Sequence, residues 1–577
     1  MSLRGRVGLL VAVAAGALTL TGTASAHAYL VKTVPSASVV LTAPPPNVQL
    51  TFDEAVEPRF ATISVTDAEA HQQATAPPKR SPANPDTLVV PLKPHMAEGW
   101  YLIYWRAISV DGHPVQGAFT FAIGPNEGPA PQFVVPKISQ TATTTRLLIA
   151  RWAMFLTVMA AVGLFVLRML IARPVVRRAH GSSLRAVTIA FVVASILGLI
   201  SIPVYLDIAT SVDSLRSAFD LGALVPLFRV TAFGRAYVDL LICFGLFCVA
   251  AWVALWLDRP ASEHRTIAEL GAVAGALLAA GAALLIPGVA GHAAQTAPRG
   301  LSLLLDWLHL VSGSIWMGGL IGLLVLWWGL GGSNRLAGLR VAVPRFSNVA
   351  FVSVLVLLGS GVGATIIHMP TVASLWQTSY GKAILVKVAL LAAAMLGGAV
   401  NLLITKPRLE AADGDPARGA SAARMLRNTV RIETVLVVAA LFAAAVLSSL
   451  APPAAALAKE GSALAHVGPG KVATTVHQNG YTLQVLVDPN KAVETNSFAL
   501  KLTKNGQPVR GADVTLGFDM LDMQMANQEY QLTETAPGIY SHPAPALVMV
   551  GHWGLSFNVT PKGGVPFTAF IVDHATG

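Results

Sequence analysis

The sequence predicts a mixed, multidomain fold: an exported β-sandwich, then an eight-helix transmembrane bundle, then a C-terminal Ig-like β-sandwich. Three observations lead there. Of 577 residues, 54% are hydrophobic and only 12% charged, with a mean hydropathy of +0.60, which does not suit a soluble globular chain. The apolar residues gather into eight runs between residues 146 and 450, each long enough for a span of roughly 20 residues. Before and after this block, short strand-like runs alternate with clusters of Pro, Asn, Asp and Gly, the pattern of small sandwiches.

The chain opens with Arg4 and Arg6, an apolar run from Val7 to Leu20, and small residues ending Ala24-Ser25-Ala26. This is the layout of a secretory signal with an A-x-A cleavage site, assigned to residues 1–26. The alternative is an uncleaved anchor, for which the run is short. Cleavage after Ala26 makes His27 the first residue of the mature chain. Residues 27–124 read as the first sandwich, with strands at 48–52, 61–65, 87–92, 100–108 and 118–123, and residues 125–145 read as a linker.

The membrane domain is assigned to 146–450, with spans at 146–172, 186–206, 236–257, 267–287, 302–330, 347–367, 382–404 and 432–450. Loops one, three, five and seven carry four, two, three and six Lys or Arg, whereas loops two, four and six carry three, one and none. The odd loops are therefore placed in the cytoplasm and both mature termini outside, as in a multi-pass protein of the cytoplasmic membrane. The net charge of +10 is then a topological signal, and no nucleic acid is expected as a partner. Cys243 and Cys248 are the only cysteines; they lie on different faces of one span, so neither a disulfide nor a thiolate cluster is expected. A linker rich in Ala and Pro, 451–470, leads to the second sandwich, 471–577, with strands at 481–487, 498–503, 514–518, 554–559 and 567–572.

An N-terminal histidine offers its α-amine and imidazole as a chelate, and the amine, with an ordinary pKa of about 8, gives up its proton to a metal at modest cost. Near the end of the first sandwich, Asp111 and His113 are two residues apart in Ser109-Val110-Asp111-Gly112-His113-Pro114 and share one face of an extended chain. Amine, two imidazoles and a carboxylate form a nitrogen- and oxygen-rich tetragonal set that favours Cu(II). Asp-Gly-His-Pro alone is the sequence of a turn; His27 at the cleavage point shifts the reading toward metal. His27-Ala28-Tyr29-Leu30, Thr51-Phe52-Asp53-Glu54 and above all the run Trp105 to Gly117 resemble the copper resistance family CopC over residues 27–124. That resemblance implies a Cu(II) site of His27, Asp111 and His113. Some members add a methionine-rich Cu(I) site; here only Met96, beside His95, lies in the domain, so the resemblance does not extend to it.

In the membrane domain, Gly291-His292 falls in loop four, and span five opens with Asp306-Trp307-Leu308-His309, followed by Trp316-Met317-Gly318-Gly319. Asp306, His309, Gly313, Trp316 and Met317 lie on one helical stripe. Charged and polar side chains at this depth should face the bundle interior. His368-Met369 opens loop six at the same level. A hydrogen-bonded Asp–His pair is the structural alternative. The stretch is similar to the CopD membrane family, as are Ser379-Tyr380-Gly381-Lys382 and Lys387, over roughly 146–450. The resemblance implies a copper site of His292, Asp306 and His309, to which His368 and Met369 add an imidazole and a thioether at the same membrane level. Lys387 would oppose a copper ion, so it is expected to partner a carboxylate. Arg168 and Glu433, near cytoplasmic span ends, are expected to snorkel and to reach water, respectively.

In the last domain, Met520, Met523 and Met525 precede Met549-Val550-Gly551-His552-Trp553. Thioethers suit Cu(I), although methionines in a sandwich are ordinarily packing. The pattern is similar to YtkA-like domains, with Leu521-Asp522 in place of that family's proline segment, and implies a Cu(I) site of Met520, Met523, Met525 and His552.

Together these readings give copper binding outside the membrane and copper transport across it, inward rather than outward, in copper homeostasis or resistance. Copper is the only cofactor expected, Cu(II) in the first domain and Cu(I) in the others. The partners are copper ions, the bilayer and a periplasmic copper donor or acceptor. No nucleotide-binding loop or phosphorylation motif appears, so ATP on this chain does not drive transport. A membrane-tethered copper buffer and a mono-copper oxidative enzyme are the competing functions; Asp111 argues against the enzyme, because a carboxylate fills the position oxygen needs.

Overall fold

The computed structural model describes residues 30–125, 144–294, 298–450 and 463–576, apart from 37–38, 53–55, 57, 59–60, 109–113, 180, 215–216, 218–219, 221–224, 226–227, 229–231, 370–371, 412–415, 493, 522–527, 545 and 548–550. His27, Asp111, His113, Met523 and Met525 lie outside the described residues. The architecture is the mixed one expected: a β domain, eight apolar helices and a second β domain.

In the first domain one sheet runs β1 (Leu30–Val34), β3 (Asn47–Phe52), β6 (Thr87–Pro91) and β5 (Lys79–Arg80). The other runs β2 (Val40–Leu41), β8 (Pro114–Ile123), β7 (Gly99–Ile108) and β4 (Thr62–Thr66). Alternate residues of β3 point inward, so Val48, Leu50 and Phe52 are buried against Val65, Ile103 and Phe121 of the facing sheet, as the two-residue period requires. β7 and β8 form a hairpin whose last paired residues are Ile108 and Pro114, so residues 109–113 are its connection. Trp105 sits three residues before that connection, edge-on to Phe52 at 5.4 Å. Its cross-strand neighbour must be Gly117, because a Cβ there would meet the indole at 2.8 Å.

The eight spans are α1 (Thr145–Ile171), α2 (Arg185–Val212), α3 (Phe233–Leu257), α4 (Ile267–Ala290), α5 (Arg299–Gly329), α6 (Arg335–His368), α7 (Ser379–Glu410) and α8 (Gly419–Leu447). α1 and α5 are the most buried. They touch backbone to backbone where Gly163 faces Gly318: a Cβ on Gly318 would lie 2.5 Å from the Gly163 Cα. Small residues serve this purpose where lipid gives helices no hydrophobic drive to associate. The neighbouring Gly319 makes room for Phe346 of α6, so the Trp-x-Gly-Gly motif is a packing device. Several helices outrun the hydrophobic lengths read from sequence. α6 begins at Arg335 rather than 347 and α8 at Gly419 rather than 432, because hydropathy marks the lipid-facing length while the helix continues into polar surroundings.

Two sequence expectations about charges are corrected. Arg168 does not snorkel: it and Arg173 are buried, bonding the two carboxylate oxygens of Asp258 at 2.8 and 2.9 Å. Asp258 follows the last residue of α3 directly and supplies the compensation that water would otherwise give; breaking such a buried pair costs about 3–5 kcal/mol. Glu433 does not reach water either. It is buried, accepts a hydrogen bond from Asn401 and sits against Gly397, where a Cβ would meet its Cγ at 2.8 Å. At the other end of the bundle Arg151 donates to Tyr205 at 3.0 Å and to Ser448 and Ser449, fastening α1 to α2 and to the chain leaving α8. Cys243 and Cys248 are free thiols.

The C-terminal domain pairs β10 (Val472–Gln478), β11 (Tyr481–Asp488), β12 (Asn496–Lys504) and β16 (Ile539–Ala544) in one part of its sheet. The path continues through β15 (Gln528–Ala536), β14 (Asp513–Met520), β17 (Gly551–Thr560), β18 (Phe567–Ala575) and β9 (Ala465–Val467). The inner faces bury Leu483, Leu500, Phe518, Trp553 and Phe557. β10 and β15 escape a reading based on apolar runs because their exposed faces are Thr, Gln and Glu rich. β9 lies within the stretch expected to be linker, where three residues add in parallel to β18. Both sandwiches meet the same end of the bundle. Arg106 of β7 donates to the Val212 carbonyl at the end of α2 at 3.2 Å, and His466 of β9 lies within electrostatic range of Lys382 at the start of α7.

Candidate metal centre

Asp306 and His309 are one helical turn apart on α5, which puts them on the same face. Asp306 reaches toward α4 at Gly288, where a Cβ would meet its Oδ2 at 2.6 Å; His309 reaches toward α6 at Gly361, where a Cβ would meet its Cε1 at 3.2 Å. Two glycines on flanking helices thus make the space for the carboxylate and the imidazole. Counting along α5, α6 and α7 from the end that carries the sandwiches, Asp306, Gly361 and Lys387 all lie about 10–12 Å in.

The hydrogen bonds of His309 fix its tautomer. Nδ1 lies 3.1 Å from the Leu357 carbonyl, which can only accept, and 3.2 Å from Ser360 Oγ. Nε2 lies 3.1 Å from Lys387 Nζ, and an ammonium can only donate. Nδ1 therefore carries the proton and Nε2 presents its lone pair. A metal-binding histidine uses the same arrangement, one nitrogen fixed by a backbone carbonyl and the other aimed into the site. Lys387 also lies within electrostatic range of Asp306, as does Tyr380, two turns earlier on α7. Asp306 is therefore a long-range partner of Lys387 rather than an ion-paired one among the described residues, and the hydrogen-bond contact of the lysine is with the unforeseen imidazole.

The remaining residues read from the membrane sequence lie at or just past the ends of α4 and α6. His292 is in a short helical turn, His292–Ala294, just past α4. His368 ends α6 and its Nδ1 bonds the Ala364 carbonyl at 2.8 Å; Met369 follows it as the helix cap. By the same count His292 lies about 6 Å beyond Gly288, and His368 and Met369 lie about 10–12 Å beyond Gly361. Among the described residues, the group of three His, Cys, Asp or Glu whose ligand atoms lie within 4.8 Å of one another is Asp67, Glu69 and His71. Those three form a turn of the first domain, in which Asp67 accepts from the backbone of Glu69 and His71. Asp306, His309 and His368 do not form such a group.

For the first domain, the described residues define where the chain leaves and re-enters the site region. β1 begins at Leu30, opposite Phe52, and Phe52 packs on Trp105. Leu30, and Ile108 with Pro114 at the close of the β7–β8 pairing, therefore lie at the same end of the sandwich.

In the C-terminal domain Met520 pairs with Trp553 and is buried in the core. His552, next in chain to Trp553, points to the opposite face, so Met520 and His552 do not share a site. Instead, His552 lies directly across from His574, their rings stacked at 4.7 Å and 18°. His466 is on the neighbouring strand beside Val572, two residues from His574 and on the same face. Its pKa is lowered first by burial and then by the nearby His552 and Lys382. Beneath them the Asp573 carboxyl is pushed up to about 6 by burial, against the hydrogen bond from Asn490.

Three family models match along the chain: CopC domain at residues 30–124, copper resistance protein D at 340–447 and YtkA-like at 475–557. The copper transport protein CutJ of Bacillus subtilis (strain 168) is 26% identical over 541 residues, covering 92% of this chain and 93% of CutJ. Protein YobA of Escherichia coli (strain K12) is 36% identical over 98 residues, which are 17% of this chain and 79% of YobA. Copper resistance protein C of Escherichia coli is 31% identical over 106 residues, covering 83% of that protein.

The chain belongs to the CopC–CopD copper family. Within this CopC–CopD chain the D-family match takes in His368, Met369 and Lys387, whereas His292, Asp306 and His309 precede it. Sequence reasoning found Asp306 and His309 from their spacing but missed Gly288 and Gly361, since only the packed bundle shows which glycines face them. It also missed His466 and His574. Their signal, two histidines near strand ends, acquires meaning only once the β17–β18 register places one beside His552.

Proposed function

We propose that this protein captures copper outside the cytoplasmic membrane and moves it inward across the membrane, contributing to copper homeostasis or resistance. The observation that carries this reading is the placement of Asp306 and the Nε2 lone pair of His309 inside the bundle, about 10 Å below the end where both sandwiches dock. His27, Asp111 and His113 would hold Cu(II) in the first domain. That Leu30 and the Ile108–Pro114 pair lie at one end of that sandwich supports this set. His292, His368 and Met369, at the ends of α4 and α6, would pass the ion down to Asp306 and His309. His552 with Met523 and Met525 would offer copper a softer stop on the C-terminal domain. The positive residues of the odd loops support placing both sandwiches outside.

A membrane-tethered buffer is the second reading. The observation favouring it is that Lys387 already satisfies His309, so the polar group is stable without a metal. Mono-copper oxidative catalysis has less support, because Asp111 would occupy the coordination position that oxygen requires. Cellular copper separates these readings. Cells carrying the protein should accumulate more copper than cells lacking it when grown at equal external copper. Unchanged total copper would favour the buffer, and lower copper would reverse the direction.

A further inference from the structure

We propose that the Lys387 ammonium is the resident cation of the empty membrane site, held on His309 Nε2 until a monovalent copper ion displaces it. This rests on reading Asp306 and His309 as copper ligands. The geometry makes the two occupants mutually exclusive. Lys387 Nζ stands 3.1 Å from Nε2, along the lone pair that a metal must use. A first-row metal on imidazole sits at about 2 Å, so copper on Nε2 would lie within roughly 1 Å of Nζ. Both cannot be present.

Charge identifies the ion. With copper absent, the carboxylate of Asp306 faces one ammonium, and the pair is neutral. When the ammonium leaves and a monovalent ion enters, the site remains neutral; a divalent ion leaves it with an uncompensated charge at a depth where that is costly. Displacement also filters by chemistry. Alkali cations gain little from an imidazole nitrogen, whereas copper forms a bond to it, so copper can replace an ammonium that the imidazole already holds. The ammonium has somewhere to go. Side chains on a helix lean toward its N-terminus, which for α7 is the end carrying the sandwiches. The flexible four-carbon stem of Lys387 can therefore swing its head outward to water. Its return would push copper off His309. No electron is transferred in this exchange; copper released from the first domain as Cu(II) takes up one electron from an external reductant, a thiol or a quinol, before it enters the site as Cu(I).

The test compares full-length protein in detergent, titrated anaerobically with Cu(I) against a chromophoric Cu(I) chelator. The Asp306→Asn, His309→Ala protein isolates the membrane site by difference. Lys387→Met should bind Cu(I) at that site at least about tenfold more tightly than the unaltered chain and, in vesicles, release it more slowly. A lysine that merely holds the helices together would give the opposite sign, weaker binding on removal. Equal or weaker Cu(I) binding in a folded Lys387→Met protein overturns the inference alone, provided that the Asp306→Asn, His309→Ala chain has lost a Cu(I) equivalent. If that chain has lost none, the reading of the site falls and the inference with it.

Discussion

Changing Asp306 to Asn and His309 to Ala should abolish copper movement while Cu(II) binding by His27, Asp111 and His113 stays intact. The two defects are separable because the two sets of residues belong to different domains, which touch through contacts such as the Arg106–Val212 hydrogen bond. The expected effect is large because the pair supplies the only carboxylate and imidazole that the glycines of α4 and α6 open space for among the described residues. The double change also strips Lys387 of its imidazole contact and of the nearby negative charge. An orphaned buried cation costs about 3–5 kcal/mol, so the double variant should be examined alongside one that adds Lys387→Met. Loss of copper movement in the triple variant, correctly inserted, assigns the defect to the ligands. Normal movement in it would leave Asp306, His309 and Lys387 as a packing triad.

How much of this site was legible in the sequence follows from the range of the interactions. Asp306 and His309 are three residues apart, and helical periodicity alone puts them on one face. The eight spans were equally legible, since a run of apolar residues is a local signal. The contact from Lys387 to His309 was not, because it joins α5 to α7 and depends on how the bundle packs. The same holds for the buried charges. Arg168 read as a snorkelling residue while its distance from the helix end was the only information, and Asp258 changes that reading from another helix end. In the C-terminal domain Met520 and His552 looked like neighbours of one site in a list of soft ligands. The strand register puts them on opposite faces, because Met520 pairs with Trp553 and side chains alternate along β17.

Adding one residue before His27 should weaken Cu(II) binding by the first domain by at least about 100-fold. Loss even of a group that only orients a ligand costs 10–100-fold in affinity, and the extension removes a ligand and its chelate ring together. The sandwich should remain folded, since its core begins at Val48 and β1 at Leu30. His113→Ala should weaken binding more than Asp111→Ala, a nitrogen donor being the stronger ligand for Cu(II). Cu(II) affinity and the EPR spectrum measure both effects. An unchanged spectrum in the extended protein would remove the amine from the ligand set, and no measurable effect of either substitution would return residues 109–113 to a plain hairpin connection.

Passage of copper through the bundle is measured most directly as uptake by sealed vesicles containing the purified full-length protein with the sandwiches facing out. Copper offered outside should appear in the lumen at a rate that rises with protein content and vanishes in the Asp306→Asn, His309→Ala, Lys387→Met variant. Copper that binds to the vesicle exterior in stoichiometric amount but never reaches the lumen would contradict transport and leave the protein a membrane-anchored copper store.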